Sequence, residues 1–313
     1  MDMGFTGSKH VQASRKQSDS SQRPIGWRVS KNSGKMGMID ALSGHTDGLQ
    51  AMANRMGETR NMSIKMIVTD LDGTLLREDK TVSKRSENAL SRCRELGIKI
   101  VYATARSMSN KKLVPHELFD AQIINNGAIA YADGGILHNC LMKPETTRPL
   151  LIACDMRGLK TAAQSNGVHY SNFDVVKEWA QLRQFEITDF RSYDKETEKM
   201  YALVNTDDDV RIIENLLPTD LYMTVSRDGM AMIMHAGATK LSAVSTLAQY
   251  WRVAKSEIVA FGDDLNDMDL LSGVGIGVAM GNALDDVKAV AADTCDTNDN
   301  DGLAKWLEEQ MGF

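Results

Sequence analysis

The sequence predicts an α/β protein: a doubly wound, Rossmann-like parallel sheet interrupted by an inserted α+β domain. Short apolar strands alternate with helical patterns from residue 64 onward, which is typical of βαβ units. Residues 98–103 are almost entirely apolar, as expected for a strand with both faces covered. From about residue 144 to 236 the pattern changes, and the alternation then resumes. We therefore expect a core formed by residues 62–143 and 237–313, with residues 144–236 inserted into it.

The core elements follow from local signals. Ser83 is placed to cap the first helix and Gly97 to end it. Asp133-Gly134-Gly135 indicates the turn of a hairpin between 128–131 and 136–138. Further core strands are predicted at 64–69, 98–103, 122–124, 258–262 and 274–279. Core helices are predicted at 83–96, 107–118, 239–250, 267–272, 283–291 and 303–310.

The insertion reads as helix, strand, helix, strand, helix and then two strands. Its last two strands, 221–226 and 230–235, are joined by Arg227-Asp228-Gly229, a hairpin signal. The insertion is therefore expected to be an α+β unit of its own.

Residues 1–61 differ from the rest of the chain. They carry nine Lys/Arg and five Asp/Glu, which gives this segment a net charge of +4. Since the whole chain has a net charge of −6, residues 62–313 carry −10. They are rich in Gly and Ser and show no sustained period, so we expect a disordered extension. A tag, a mis-called start, a flexible arm and, less favoured, a transit peptide are all compatible with it.

Composition limits the partners and the location. The negative net charge argues against a nucleic-acid partner. The sequence has no run of eighteen apolar residues, so we expect no membrane span. The four cysteines, Cys93, Cys140, Cys154 and Cys295, form no CxxC pair. We interpret them as reduced, which favours the cytoplasm.

Four polar motifs fall at the ends of predicted strands or at the start of a predicted helix. They are Asp70-Leu71-Asp72-Gly73-Thr74, Thr104, Lys240, and Gly262-Asp263-Asp264-Leu265-Asn266-Asp267. In open α/β sheets, ligands bind at the carboxyl ends of the strands. The motifs are therefore expected to meet in one site.

The residue types in these motifs suit phosphoryl transfer. A phosphate dianion approaching a carboxylate is repelled, by about 4 kcal/mol per unit charge pair at ~4 Å and an effective dielectric of ~20. A divalent cation on Asp70 and Asp263, with the ammonium of Lys240, would supply the missing positive charge. The Thr104 hydroxyl and nearby backbone N–H groups would serve the equatorial oxygens.

Together the motifs closely resemble those of the haloacid dehalogenase (HAD) superfamily of phosphohydrolases. The insertion between Thr104 and Lys240, which ends in a β-hairpin, resembles the large type IIB cap of the Cof-like branch. Asn126-Gly127-Ala128 and Met280-Gly281-Asn282-Ala283 are also similar to that branch. The resemblance covers about residues 62–313 and implies a Mg²⁺-dependent phosphatase with a small phosphorylated metabolite, such as a sugar phosphate, as substrate.

The resemblance also implies residue roles. Asp70 would be the nucleophile that forms an aspartyl-phosphate, and Asp72 the acid that protonates the leaving alkoxide and then activates water. Thr104 and Lys240 would hold the phosphoryl group. The implied metal ligands are Asp70, Asp72 through its backbone carbonyl, Asp263, Asn266 and Asp267, the last as an outer ligand or brace. The implied substrate contacts are Leu71, Ala105, Arg106, Asn126 and Gly127.

Some readings stay open. A phosphomutase of the same superfamily and a non-catalytic sensor of phosphorylated ligands are the alternatives. Arg106 is either a substrate contact or a structural ion pair. Three residues depart from the usual motifs: Ala105 replaces a Gly, Thr239 an Asn and Leu241 a Gly. Cap residues are expected to set specificity, with Arg157, His169, Tyr170 and Arg183 as candidates, and the oligomeric state is not predicted.

Overall fold

Two β-sheets organise the part of the chain that the computed structural model describes, residues 28–31, 63–107, 113–179, 182, 184–225 and 229–313. The strands are β1 (Arg28–Lys31), β2 (Met66–Thr69), β3 (Lys99–Ala103), β4 (Ala121–Ile124), β5 (Ile129–Ala132), β6 (Gly135–Asn139), β7 (Thr161–Ser165), β8 (Val168–Ser171), β9 (Phe185–Ile187), β10 (Lys199–Leu203), β11 (Leu221–Val225), β12 (Met230–His235), β13 (Ile258–Gly262), β14 (Ile276–Ala279) and β15 (Asp293–Thr294). The helices are α1 (Lys84–Glu95), α2 (Pro144–Asp155), α3 (Val175–Glu178), α4 (Asp207–Leu216), α5 (Lys240–Trp251), α6 (Met268–Gly273), α7 (Asp285–Val290) and α8 (Gly302–Met311).

The larger sheet, here the core sheet, has the order β15-β14-β13-β2-β3-β4-β5-β6. Strands β15 to β4 run parallel, and β5 and β6 add an antiparallel hairpin. Every residue of β2 and β13 is buried, so both faces of the sheet are covered. The predicted doubly wound fold is confirmed.

Strand order fixes where the core sheet opens to a ligand. From β2 the chain crosses through α1 to β3 on one side, and from β13 it crosses through α6 to β14 on the other. Because such crossovers are right-handed, the two helices lie on opposite faces. The order reverses between β2 and β13, and their carboxyl ends are the expected binding crevice.

The smaller sheet, here the cap sheet, has the order β1-β11-β12-β10-β7-β8-β9. Helices α2 and α4 pack on one of its faces, where Leu151 and Ile213 join Met200, Ala202 and other strand residues in a separate apolar core. The predicted α+β insertion is confirmed. Within the described residues, no helix has both the length and the apolar character needed to cross a bilayer.

Several predicted elements differ from the observed ones. The helix predicted at 107–118 is wrong in its described part, which forms only a 3-10 turn at His116–Leu118. Pro115 precedes that turn, and proline disfavours helix in the residue before it. Strands β8, β9 and β15 were not predicted. The missed signal for β8 is Asn166-Gly167, whose positive φ values of 49° and 77° make a tight hairpin turn.

The extension also needs a correction. Arg28–Lys31 forms β1, whose backbone pairs antiparallel with Leu221–Val225. The expectation of disorder is therefore wrong for these four residues, because β11 offers an unpaired sheet edge to bind them. The rest of that expectation falls on residues outside the described ranges.

Candidate active site

The site lies where β2 and β13 end side by side. The strands are parallel neighbours, with Thr69 opposite Phe261. Asp70 follows β2 directly, and its N–H donates to the Phe261 carbonyl at 3.0 Å. Asp263 follows β13. The two predicted motifs are thus brought to one edge of the sheet, at the point where the strand order reverses.

Lys240 connects three of the motifs. It opens α5, and its side chain is fully buried. The Nζ lies 2.6 Å from Asp70 Oδ1 and 2.6 Å from Asp267 Oδ1. Burial lowers the pKa of Lys240, but Asp267 and Asp70 outweigh burial and raise it above the ordinary value. Lys240 is therefore a fixed positive charge against Asp70.

One ammonium does not balance the carboxylates around it. Carboxylate oxygens of Asp70, Asp263 and Asp267 lie within 4.8 Å of one another. Burial raises the pKa of Asp70 to about 8, with Lys240 opposing and Asp267 adding to the rise. Burial likewise raises the pKa of Asp263 to about 7, against the Thr74 hydrogen bond. The cluster favours additional positive charge.

The donor set fits Mg²⁺. Both carboxylate oxygens of Asp267 are hydrogen-bonded. Its Oδ1 accepts from Lys240 Nζ, and its Oδ2 accepts from the N–H groups of Asp263 at 3.0 Å and Asp264 at 3.1 Å. It therefore braces the loop. Asn266 Oδ1 is buried with no hydrogen-bond partner in the structure. An orphaned amide oxygen and two carboxylates with unbalanced charge are the ligand types that Mg²⁺ prefers.

Gly73 allows the first and last motifs to approach. Its φ is +78°, and a Cβ there would lie 2.3 Å from Asp263 Oδ2. The next residue, Thr74, donates its hydroxyl to Asp263 Oδ1 at 2.7 Å. The Gly-Thr pair therefore positions Asp263 beside the Asp70 loop.

Asp72 has cationic partners. Arg106 Nη2 donates to its Oδ1 at 2.7 Å and Lys80 Nζ to the same oxygen at 3.1 Å. Burial raises the pKa of Asp72, but Arg106 and Lys80 outweigh it and hold the pKa below the ordinary value. These contacts favour the ionised form of Asp72 before a substrate binds. Arg106 is thus in an ion pair with Asp72, and its contact with a substrate stays a prediction.

The second motif lies next to the Asn-Gly turn. Thr104 is buried, and its Oγ1 accepts from the Arg106 N–H at 3.1 Å, which leaves its hydroxyl proton for a ligand. The Thr104 carbonyl accepts from the Asn126 N–H at 2.9 Å. Asn126 Oδ1 in turn accepts from Asn266 Nδ2 at 2.8 Å. These contacts connect the second and fourth motifs.

Other candidate residues have structural explanations. A Cβ on Gly127 would lie 2.1 Å from the Thr239 carbonyl, so glycine lets the turn pack against the start of α5. The side chain of Leu71 is fully buried and is not available to a substrate. Asp264 caps the following 3-10 turn through the Leu265 N–H.

Two of the motif departures are accommodated locally. Thr239 caps α5 by accepting from the Ser242 N–H at 3.2 Å. Leu241 packs where Gly273 has no side chain, since a Cβ on that glycine would lie 2.4 Å from Leu241 Cδ2. Nothing in the structure shows an effect of the methyl group of Ala105.

The sequence interpretation missed two lysines near the site. Lys80 reaches Asp72 from the loop after β2, and Lys199 of the cap sheet donates to the Ala105 carbonyl at 3.4 Å. No local pattern marks either residue, since both contacts depend on how distant segments pack. Arg157, by contrast, is exposed, and Arg183 lies outside the described residues.

Comparison with known proteins agrees with this geometry. The family model described as haloacid dehalogenase-like hydrolase matches residues 67–307. The chain belongs to the haloacid dehalogenase-like hydrolases. A putative phosphatase of Haemophilus influenzae is 30% identical over 80% of this chain and 99% of its own length. A 5-amino-6-(5-phospho-D-ribitylamino)uracil phosphatase of Bacillus subtilis is 26% identical over 79% of this chain and 98% of its own.

The fold comparison agrees as well. A solved subclass IIB sugar phosphatase of the superfamily superposes with a TM-score of 0.69, at 23% identity, over 79% of this chain and 99% of its own. The predicted Cof-like, type IIB resemblance is confirmed, and this chain is a haloacid dehalogenase-like hydrolase whose similar proteins include named phosphatases.

Proposed function

We propose that the protein is a Mg²⁺-dependent phosphomonoesterase that hydrolyses a small phosphorylated metabolite, of the sugar phosphate type, through an aspartyl-phosphate. The observation that supports this most directly is the buried Lys240 ammonium, 2.6 Å from both Asp70 and Asp267 in a cluster with excess negative charge. The Bacillus subtilis relative, named for a phosphorylated ribityl substrate, supports the same substrate class.

Asp70 is the proposed nucleophile. Its carboxylate attacks phosphorus and the bond from phosphorus to the substrate oxygen breaks. The leaving alkoxide takes a proton from Asp72, which must therefore take up a proton from solvent before this step. Water then attacks the aspartyl-phosphate, Asp72 takes a proton from that water, and inorganic phosphate leaves with Asp70 restored. Lys240 and the Thr104 hydroxyl hold the phosphoryl oxygens throughout.

The metal would be held by Asp70, Asp263 and the Asp72 backbone carbonyl, with Asn266 Oδ1 as a further donor and Asp267 as the brace. When bound, Mg²⁺ supplies positive charge that offsets repulsion between the Asp70 carboxylate and the phosphate. Ala105, Arg106, Asn126 and Gly127 remain predicted substrate contacts, whereas Leu71, with its side chain fully buried, would contact a substrate only through its backbone. The cytoplasmic location and the absence of nucleic-acid and membrane partners stay predictions from the sequence.

The first test is phosphate release from a panel of phosphorylated metabolites, with Mg²⁺ and with EDTA. We expect release that EDTA abolishes, and Asp70→Asn should lower kcat by at least about a thousandfold, because the amide is not a nucleophile. The control is Asp286→Asn, an exposed aspartate on α7, which should leave kcat unchanged.

Two outcomes would favour the alternatives. Turnover that requires a bisphosphorylated sugar and returns phosphate to a sugar would identify a phosphomutase. Binding of phosphorylated ligands without any turnover, in folded protein, would identify a sensor. Activity that survives Asp70→Asn would overturn the nucleophile.

A further inference from the structure

The two faces of the cap sheet have different neighbours. Met200 and Ala202 of β10 point into the apolar core beneath α2 and α4. Because side chains alternate along a strand, Lys199 and Tyr201 point from the opposite face. From there Lys199 Nζ reaches the Ala105 carbonyl in the loop that carries Thr104. This face of the cap therefore lies over the catalytic motifs.

Lys199 is a poorly partnered cation. Its hydrogen bond to the Ala105 carbonyl is long, at 3.4 Å, and within the described residues it forms no ion pair. The adjacent carboxylate of Glu198 is engaged elsewhere, accepting from Asn125 Nδ2 at 2.8 Å. Burial lowers the pKa of Lys199 to about 8, with Glu198 opposing. Lys199 is half-buried, and a partly desolvated cation without a good acceptor is unfavourable, so Lys199 is poised to bind one.

Gln164, next to Lys199 on the sheet, carries the complementary group, a hydrogen-bond acceptor. It is the cross-strand partner of Lys199, on the same face of the sheet, and is 1% exposed. Its Oε1 is buried and has no hydrogen-bond partner in the structure. Buried polar atoms are almost always hydrogen-bonded, so an orphaned acceptor next to an under-used donor indicates an absent ligand.

The next residue across the sheet is uncharged. His169 is the cross-strand partner of Gln164, and its Nδ1 meets the Tyr201 hydroxyl at 2.9 Å. Burial, with a contribution from Lys199, lowers the pKa of His169 to about 4, so the ring is neutral at pH 7. The patch therefore offers one cation, one acceptor and one neutral ring, without a second charge.

We propose that Lys199 and Gln164 bind the leaving group of the substrate through its hydroxyl groups, so that the enzyme selects neutral polyol and sugar phosphates. This inference rests on the proposed phosphatase function. A hydroxyl accepts from the ammonium through its oxygen and donates its proton to Gln164 Oε1, so neighbouring hydroxyls satisfy both residues.

Other leaving groups match the pair less well. A carboxylate would satisfy Lys199, but it would place an acceptor against the Gln164 acceptor. An aromatic ring would leave both residues unpaired. A site built to hydrogen-bond hydroxyls rejects analogues that lack them, because its buried polar groups are then left unsatisfied.

The test measures selectivity. We would determine kcat/KM for ribitol phosphate, glucose phosphate, phosphoglycerate, pyridoxal phosphate and p-nitrophenyl phosphate, with the wild type, Lys199→Met and Gln164→Leu. The wild type should prefer the polyol or sugar phosphates. The ratio of kcat/KM for the best of them to that for p-nitrophenyl phosphate should fall about tenfold or more in each variant. Lys195→Met, a cap lysine that is half-exposed, should leave the ratio unchanged.

The outcomes distinguish failure of the proposed subsite from failure of the proposed phosphatase function. Equal losses on all substrates would show that Lys199 only joins cap to core or serves the phosphoryl group, which overturns the subsite. So would a wild type that prefers phosphoglycerate or pyridoxal phosphate. A wild type that hydrolyses nothing, p-nitrophenyl phosphate included, would overturn the phosphatase proposal and the subsite with it.

Discussion

At the scale of single residues, the ion pairs of the site aspartates give each of them different surroundings. Lys240 contacts both Asp70 and Asp267, so the proposed nucleophile, Asp70, is held and partly neutralised before a substrate arrives. Asp72 is paired with Arg106 and Lys80. Two aspartates separated by one residue thus have different surroundings, which suits a nucleophile and a proton carrier.

The ion pair to Arg106 predicts a pH effect. The guanidinium lowers the pKa of Asp72, so Arg106→Met should raise it. Asp72 must be protonated to expel the leaving group, and a higher pKa keeps that proton to higher pH. The basic limb of the kcat profile should therefore move to higher pH.

The variant Lys80→Met is the comparison for the predicted effect of Arg106→Met. Lys80 is more distant, at 3.1 Å, and half-exposed, so its removal should move the limb in the same direction by less. Profiles of kcat for the wild type and both variants measure the effect. An unmoved limb in Arg106→Met would mean that Asp72 is not the group that titrates.

At the scale of elements, loops after strands place the chemistry and glycines decide how closely they approach. Asp70 and Asp263 belong to loops far apart in sequence, and they meet because β2 and β13 are parallel neighbours. At Gly73 the backbone needs a positive φ and the space beside it is filled by Asp263. Loop conformation and carboxylate position are therefore coupled.

This coupling predicts the effect of Gly73→Ala. The new methyl group would lie 2.3 Å from Asp263 Oδ2, so the carboxylate must move. Because a displacement of about 1 Å in a catalytic group can lower the rate about a hundredfold, we expect a loss of that size in kcat/KM, with weaker Mg²⁺ binding by titration calorimetry.

Gly134→Ala is the matched control. Gly134 has a φ of +79°, and a Cβ there would meet nothing within 4 Å. It should lower the free energy of unfolding by about 1 kcal/mol through backbone strain alone and leave kcat/KM unchanged. If both variants kept full activity, Gly73 would serve only the turn.

Prediction from sequence succeeded where the signal is local. The core strands are apolar and end in polar motifs, so their position and the meeting of Asp70, Lys240 and Asp263 could be inferred. It failed where packing decides. Strand β8 is four residues long and β9 three, and the contacts of Lys80 and Lys199 cross between distant segments. The cap was therefore predicted as a unit with its final hairpin, β11 and β12, but β8 and β9 were not predicted.

At the scale of the whole molecule, the proposed catalytic residues and the proposed selecting residues belong to different sheets. The motif residues follow core strands or open α5, and Lys199 and Gln164 belong to the cap sheet. With this division, closure of the cap over the core would exclude water from the site and, in the same movement, bring Lys199 and Gln164 to the leaving group. The chain before residue 62 contributes to the cap sheet alone in the described residues, through β1 beside β11.

That placement predicts the effect of removing residues 1–61. Turnover of p-nitrophenyl phosphate should stay within about twofold of the full chain, because such terminal segments tolerate truncation and every site residue lies after Met66. The lost strand would expose the backbone of Leu221–Val225 as a sheet edge. Amide hydrogen exchange there should therefore speed up, while β2 and β13, in the centre of the core sheet, should not change. If exchange in β11 were unaltered, β1 would not pair with the cap in solution, and a large loss of turnover would show that the extension acts on the catalytic site.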